Sequence, residues 1–240
     1  MQRYANPGRF LRLADVLLPW ASILAAVLIL LGLYLGLVKS PPDYQQGDTV
    51  RIMYVHVPSA WMAMFVYATI AVASFVALVW LHPLAHLVAK AASALGAGFT
   101  FLALVTGSLW GKPTWGTWWD WDGRMTSVLI LFFLYLGHMA LFSAFDDPRR
   151  GQKAAAVVAL VGVVILPIIK FSVDWWSTLH QPSGVLRLDG TSAVHPSMLW
   201  PLLVMGLGFM AYFLAVLLVR VKDEVLSARL RALALVQSGV

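Results

Sequence analysis

Apolar residues run along this chain in six long stretches, at about Leu17–Val38, Ser59–Leu81, Val88–Trp110, Ser127–Phe145, Ala154–Phe171 and Met198–Val219. Each approaches the roughly 20 residues that a helix needs to cross a hydrocarbon core of about 30 Å. The pattern predicts an all-α integral membrane protein with six transmembrane helices and, from the even number of crossings, both termini on one side. Ahead of the first stretch, Arg9–Trp20 reads as an interfacial amphipathic segment. The stretch itself is longer than the apolar region of a secretory signal, so a retained anchor is expected. On the side of the termini, His82–Leu87 and Asp146–Lys153 are expected as turns. On the opposite side lie three longer connections, Lys39–Pro58, Gly111–Thr126 and Ser172–Ser197. Long connections have room to carry structure and chemistry, so residues 1–240 are expected to form one membrane domain that works on its outer side.

Composition sharpens this picture. Of 240 residues, 60% are hydrophobic and 12% charged, against about 45–50% and about 25% in a soluble domain. The bilayer is the solvent that such a chain requires. The net charge is +6, which in a soluble protein would raise the question of nucleic acid. Here eleven Lys and Arg fall on the side of the termini (Arg3, Arg9, Arg12, Lys90, Arg149, Arg150, Lys153, Arg220, Lys222, Arg229 and Arg231) and six on the other. That bias follows the positive-inside rule, so the basic residues face membrane lipid and no nucleic-acid partner is expected. Both termini are then expected to be cytoplasmic and the long connections extracytoplasmic. Cysteine is absent, which excludes thiolate catalysis, iron–sulfur ligation and thioether attachment of a haem.

Nine of the eleven tryptophans lie on or next to the outer face, whereas an aromatic belt populates both interfaces. Residues 111–126 concentrate them: Trp115, Trp118, Trp119 and Trp121 are interleaved with glycines and closed by Asp122 and Arg124. Rings at this density, with charge at their edge, suit a large flat ligand. The run Trp115-Gly-Thr-Trp-Trp-Asp-Trp-Asp-Gly-Arg-Met-Thr-Ser resembles the signature of the WWD haem-handling proteins of cytochrome c biogenesis. Within that family the six spans, Trp175-Trp-Ser-Thr-Leu-His180-Gln181 and Val194-His-Pro-Ser-Met-Leu-Trp200 are similar to the haem exporter protein C (CcmC) branch. Asp120 departs from the more variable, often apolar residue expected there, and Gly123 stands where a small residue is usual.

Six histidines are candidates for an iron. His56 and His195 each precede a Pro-Ser pair at the outer mouth of a span, the second and the sixth, at similar depth. Topology makes them the expected axial pair of a haem, through neutral imidazole nitrogens, and the resemblance is read as implying the same two positions. His82 and His86 read as surface residues of the inner turn, and His138, inside the fourth span, as a packing or interhelical hydrogen-bonding group. His180 is left between two roles, beside the ligand or ordering its loop. Arg124 is the expected partner of a propionate, because its fork pairs a carboxylate in two places. Lys112, Arg51 and Arg187 are weaker candidates. Asp122 is expected to hold Arg124 or a backbone turn.

The resemblance implies that non-covalent b-type haem is held at the periplasmic face and passed to a periplasmic haem chaperone (CcmE). It also implies an ATP-binding cassette pair (CcmA and CcmB) and a small membrane subunit (CcmD) as partners. The chain has no phosphate-binding loop of its own, so ATP would act through another subunit. Two other classes compete. A multi-pass permease needs polar sites and broken helices near the midplane, and a quinone-linked electron-transfer subunit needs paired histidines inside the bundle.

Overall fold

The structure, a computed structural model, describes residues 6–180, 184–185, 192 and 194–237. Seven helices make six membrane-length segments. Helix α1 (Pro7–Leu33) continues through a π-helical stretch at Tyr34–Lys39, and a 3₁₀ turn at Asp48–Ile52 leads into α2 (Met53–Trp80). Helices α3 (Pro83–Trp115) and α4 (Gly123–Leu141) follow. The fifth segment is α5 (Pro148–Gly162) and α6 (Ile165–Trp175), and α7 (Pro196–Gln237) closes the chain. All six segments are long and apolar enough to cross a membrane.

Every segment starts ahead of its apolar stretch and most run past its end, although α2 stops at Trp80 and α4 at Leu141, short of Phe145. Arg9–Trp20 is continuous with the first helix and not a separate interfacial segment, started by Asn6, whose side chain accepts from the Gly8 and Arg9 amides. The expected turn at 82–87 shrinks to Leu81 and His82, because Pro83 supplies a ready first helical residue. Likewise Asp147 caps α5 ahead of Pro148. The break between α5 and α6 sits at Val163–Val164, four and three residues before Pro167, which has no amide proton to return to the Val163 carbonyl.

Packing inside a bilayer gains nothing from excluding water, so it depends on close approach and on internal hydrogen bonds. Gly96 supplies the approach between α3 and α4: a β-carbon there would lie 2.1 Å from Tyr135 Cε1. Tyr135, fully buried, then donates its hydroxyl to the Ala63 carbonyl of α2 at 2.6 Å and meets Tyr67 edge-to-face at 5.1 Å. At the face carrying the termini, Lys90 Nζ lies 2.7 Å from Glu224 Oε1, Lys222 pairs with Asp15, and Arg220 Nε donates to the Ala91 carbonyl at 3.0 Å. These contacts tie the foot of α7 to α3 and α1. His138 is fully buried and shares a hydrogen bond with Ser93 of α3 through Nδ1 at 2.6 Å, the interhelical role expected of it.

This packing predicts that Gly96→Val, by forcing Tyr135 out of its place, destabilises the bundle by about 1–3 kcal/mol. Thermal unfolding in detergent followed by near-ultraviolet circular dichroism measures it, and an unchanged midpoint would refute the close-approach argument.

Candidate functional site

At the face opposite the termini, the first turns of α2 and α4, the last turns of α3 and α6 and the connection after α6 enclose a cavity of about 330 Å³. That volume lies within the range of small-molecule sites, roughly 300–1,000 Å³. His56, Trp61, Trp115, Trp119, Arg124 and His180 line it, together with Val57, Ala60, Met64, Met125 and Ile169.

His56 belongs to α2 itself. The helix begins at Met53, so Pro58 and Ser59 lie within it and do not open it as the local pattern suggested. From this rigid position His56 Nδ1 is 3.0 Å from the Ala103 carbonyl and 3.2 Å from Thr106 Oγ1, both on α3. A carbonyl only accepts, so Nδ1 carries the proton and the neutral ring presents its lone pair at Nε2. Gly107 gives the ring its room, since a β-carbon there would stand 2.8 Å from His56 Cε1. Trp110 meets the imidazole edge-to-face at 5.7 Å and donates its indole N–H to Gln46 Oε1 at 2.9 Å.

His180 reaches the same cavity from the connection after α6, and one carboxylate holds it there. Asp122 is buried, with 6% of its surface exposed. Its Oδ1 accepts the Met125 amide at 2.7 Å and so caps α4, while Oδ2 lies 3.2 Å from both the Leu179 amide and His180 Nδ1. Burial outweighs the Asp122 hydrogen bond and charge, and the His180 pKa falls below the ordinary 6.5. The imidazole is therefore neutral near pH 7, its proton on Nδ1 facing the carboxylate and its lone pair on Nε2. Trp115 packs against it edge-to-face at 4.8 Å.

His195 stands differently. It is exposed at the start of α7, where the Ser197 amide donates to its Nδ1 at 3.3 Å and Ser197 Oγ lies 2.8 Å from the same atom. That lone pair is spent as a helix cap, and the ring's proton sits on Nε2. His195 is not among the residues that line the cavity. The matched Pro-Ser contexts of His56 and His195 thus hide two opposite tautomers.

The tryptophans divide. Helix α3 ends at Trp115, stopped by Gly116 in the left-handed conformation at φ 81°, whose amide bonds the Lys112 carbonyl at 3.0 Å. Trp115 and Trp119 face the cavity, whereas Trp118 and Trp121 are 53% and 74% exposed. Arg124 lines the cavity with Nη2 3.3 Å from the Lys170 carbonyl and 3.4 Å from that of Ile169. It is not ion-paired with Asp122, which holds His180 and the start of α4. Among the residues lining the cavity, Arg124 Nε and Trp119 Nε1 are buried donors without a partner. Of the weaker cations, Lys112 bonds the Gly116 carbonyl at 3.0 Å and lies 6.0 Å over the Trp118 ring, and Arg51 pairs with Asp48 at 3.0 Å. Arg187 lies outside the described residues. Gly107 was not a candidate from sequence, and Trp110, which opens the tryptophan-rich segment, was not among the rings expected against the ligand.

A six-span bundle with two imidazoles, indole walls and unpartnered donors around one cavity is, by class, a multi-pass membrane protein whose outer cavity could hold a flat, metal-containing anion. Residues 1–236 match the family described as Heme exporter protein C (CcmC). The chain is similar to the Heme exporter protein C of Bradyrhizobium diazoefficiens, at 55% identity over 98% of this chain and 89% of that one. It is similar to that of Haemophilus influenzae at 50% identity over 93% and 90%. A Marchantia polymorpha protein named putative cytochrome c biosynthesis ccmC-like mitochondrial protein is 46% identical over 82% of each chain. The chain belongs to the haem exporter protein C family, and with it to haem handling in cytochrome c biogenesis.

Two outcomes follow from the carboxylate. Asp122→Ala removes a helix cap and a tether together and lowers stability by about 1–2 kcal/mol, while Asp122→Asn keeps most of the cap; thermal unfolding of the two variants separates the contributions. Because the folded His180 binds its proton more weakly than the unfolded one, stability is full above the unfolded value of 6.5 and declines as the pH drops below it. Thermal midpoints measured from about pH 7 down to about pH 5 should fall less for His180→Gln than for the unsubstituted chain.

Proposed function

We propose that the chain binds non-covalent b-type haem in this cavity at the periplasmic face, with His56 and His180 as the axial ligands, and delivers it to a periplasmic haem chaperone (CcmE) for c-type cytochrome maturation. The observation that carries the reading is the paired tautomer: both rings spend Nδ1–H on an acceptor, so both offer Nε2 to one cavity. Histidines that hold metals are oriented this way, by a carbonyl or carboxylate behind the ring. His180 replaces His195 as the second ligand in this reading, because the His195 Nδ1 lone pair is occupied and its ring lies off the cavity.

The remaining residues fit the same cargo. Trp115 and Trp119 offer apolar ring surface to a porphyrin, and the free Arg124 Nε and Trp119 Nε1 are donors suited to propionate oxygens. Trp118 and Trp121, exposed beside the cavity, are the part of the segment that a protein partner reaches. Asp122 acts one step back, by fixing the direction of His180. With no cysteine in the chain, the protein holds its cargo through reversible bonds alone, as a transfer protein must. The charge bias supports cytoplasmic termini on one domain over 1–240, and membership of the family supports an inner-membrane location and partnership with an ATP-binding cassette pair (CcmA and CcmB) and a small membrane subunit (CcmD). A buried two-histidine electron-transfer site is disfavoured, since His138 is the one histidine deep in the bundle and is bonded to Ser93.

Visible spectra and haem stoichiometry of purified variants test the assignment. His56→Ala and His180→Ala should each lower haem affinity by roughly tenfold or more and shift the ferric Soret band, Asp122→Asn should weaken binding in the same direction, and His195→Ala should leave content and spectrum as they were. Unchanged haem and spectrum in both His56→Ala and His180→Ala would remove the ligand pair.

A further inference from the structure

Beside the cavity, on the flank turned to lipid, α3 and α4 leave a groove of about 400 Å³ bounded by Phe101, Val105, Leu109, Leu129 and Phe133. These positions run from the middle of α3 and α4 toward the cavity's face. Phe101, Leu109 and Phe133 are half or more exposed, so the groove opens outward from the bundle. Its walls are hydrocarbon except for Ser108, whose hydroxyl is donated to the Trp118 carbonyl at 2.7 Å. Groove and cavity are contiguous, because Leu104 and Trp119 line both.

Trp119 is thus the partition between lipid and cavity, and its side chain is lightly held. Thr117 fixes its backbone, with Oγ1 2.7 Å from the Trp119 carbonyl and 3.3 Å from its amide. The indole Nε1 has no partner, and the ring's aromatic neighbour is the exposed Trp121, edge-to-face at 5.5 Å. A ring held by packing alone turns by changing rotamer, without breaking a hydrogen bond.

We propose that this groove is a lateral opening through which haem slides from the adjacent leaflet into the cavity, with the Trp119 indole as its gate. The proposal rests on the haem reading above. Haem is an amphiphile with an apolar edge and a carboxylate edge. Moving sideways at constant depth keeps the carboxylates at headgroup level, where Arg124 sits in the first turn of α4, while the apolar edge stays among Phe101, Val105 and Phe133. A path through the chain from the far leaflet lacks such support. Among the described residues, the buried polar side chains include Ser93, Thr100 and His138 in the bundle but no lysine or arginine, and carboxylates crossing there would go unpaired.

Val105→Trp and Leu129→Trp fill the groove from its two walls and change no residue that lines the cavity. Phe75→Trp, on the lipid face of α2, controls for an added indole in the membrane. Each chain, freed of haem and reconstituted in vesicles of phosphatidylcholine and phosphatidylglycerol, is given haemin in the same membranes, and the Soret band is followed in time. Both groove variants should load roughly tenfold more slowly than the unsubstituted chain, as when association must await a rearrangement, yet reach its final spectrum and stoichiometry. The control should load at the unsubstituted rate. Equal rates in all four chains would overturn the route. So would loss of final occupancy in both folded groove variants, which would make the groove part of the bound site instead of its approach. An unsubstituted chain that never develops a Soret band would remove the haem reading itself, a failure distinct from uptake at undisturbed rates.

Discussion

One buried carboxylate joins the two connections that build the site. Asp122 accepts from the α4 backbone, from the backbone of Leu179 and from the His180 ring, so three donors converge on a group that would be costly to bury unpaired. The positive end of α4 lowers that cost further. The direction of His180, the start of α4 and the path of the chain after α6 are consequently not independent features. Each is a different side of the same satisfied charge.

Beneath this outer layer the bundle is a rigid base whose cohesion is of another kind. Its helices approach at Gly96 and Gly162, where the Tyr135 ring and the Tyr67 hydroxyl occupy the space a β-carbon would need, and the Tyr135 and Ser93 bonds supply polar contacts that lipid cannot. His56 is mounted on that base, being part of α2 and tied to α3. His180 is mounted on a connection. The site therefore combines one imidazole mounted on a helix of the bundle and one carried by a connection.

The six spans were legible because a hydrocarbon core imposes a length and a polarity that few other environments impose. Their ends were not, since backbone bonding continues past the apolar stretch until a cap or a proline stops it, as at Asn6, Pro83 and Asp147. The tryptophan segment pointed to the part of the chain that lines the cavity, yet which rings face inward depends on an irregular stretch after Gly116 that has no period to read. The histidine pairing was harder still. His56 and His195 share a local pattern, whereas what distinguishes His180 is a carboxylate 58 positions earlier in the chain. Only the fold brings that partner within reach, and only a hydrogen bond reveals which nitrogen is free.

The acceptors behind the two rings differ in kind: a neutral peptide oxygen of Ala103 behind His56, an anionic carboxylate behind His180. An anion on Nδ1–H pushes electron density through the imidazole and makes its far nitrogen the better donor, which a peptide oxygen does far less. In the proposed pair around one iron, the bond from His56 on the rigid helix would therefore be the weaker and that from His180 the stronger, and unloading would begin at His56.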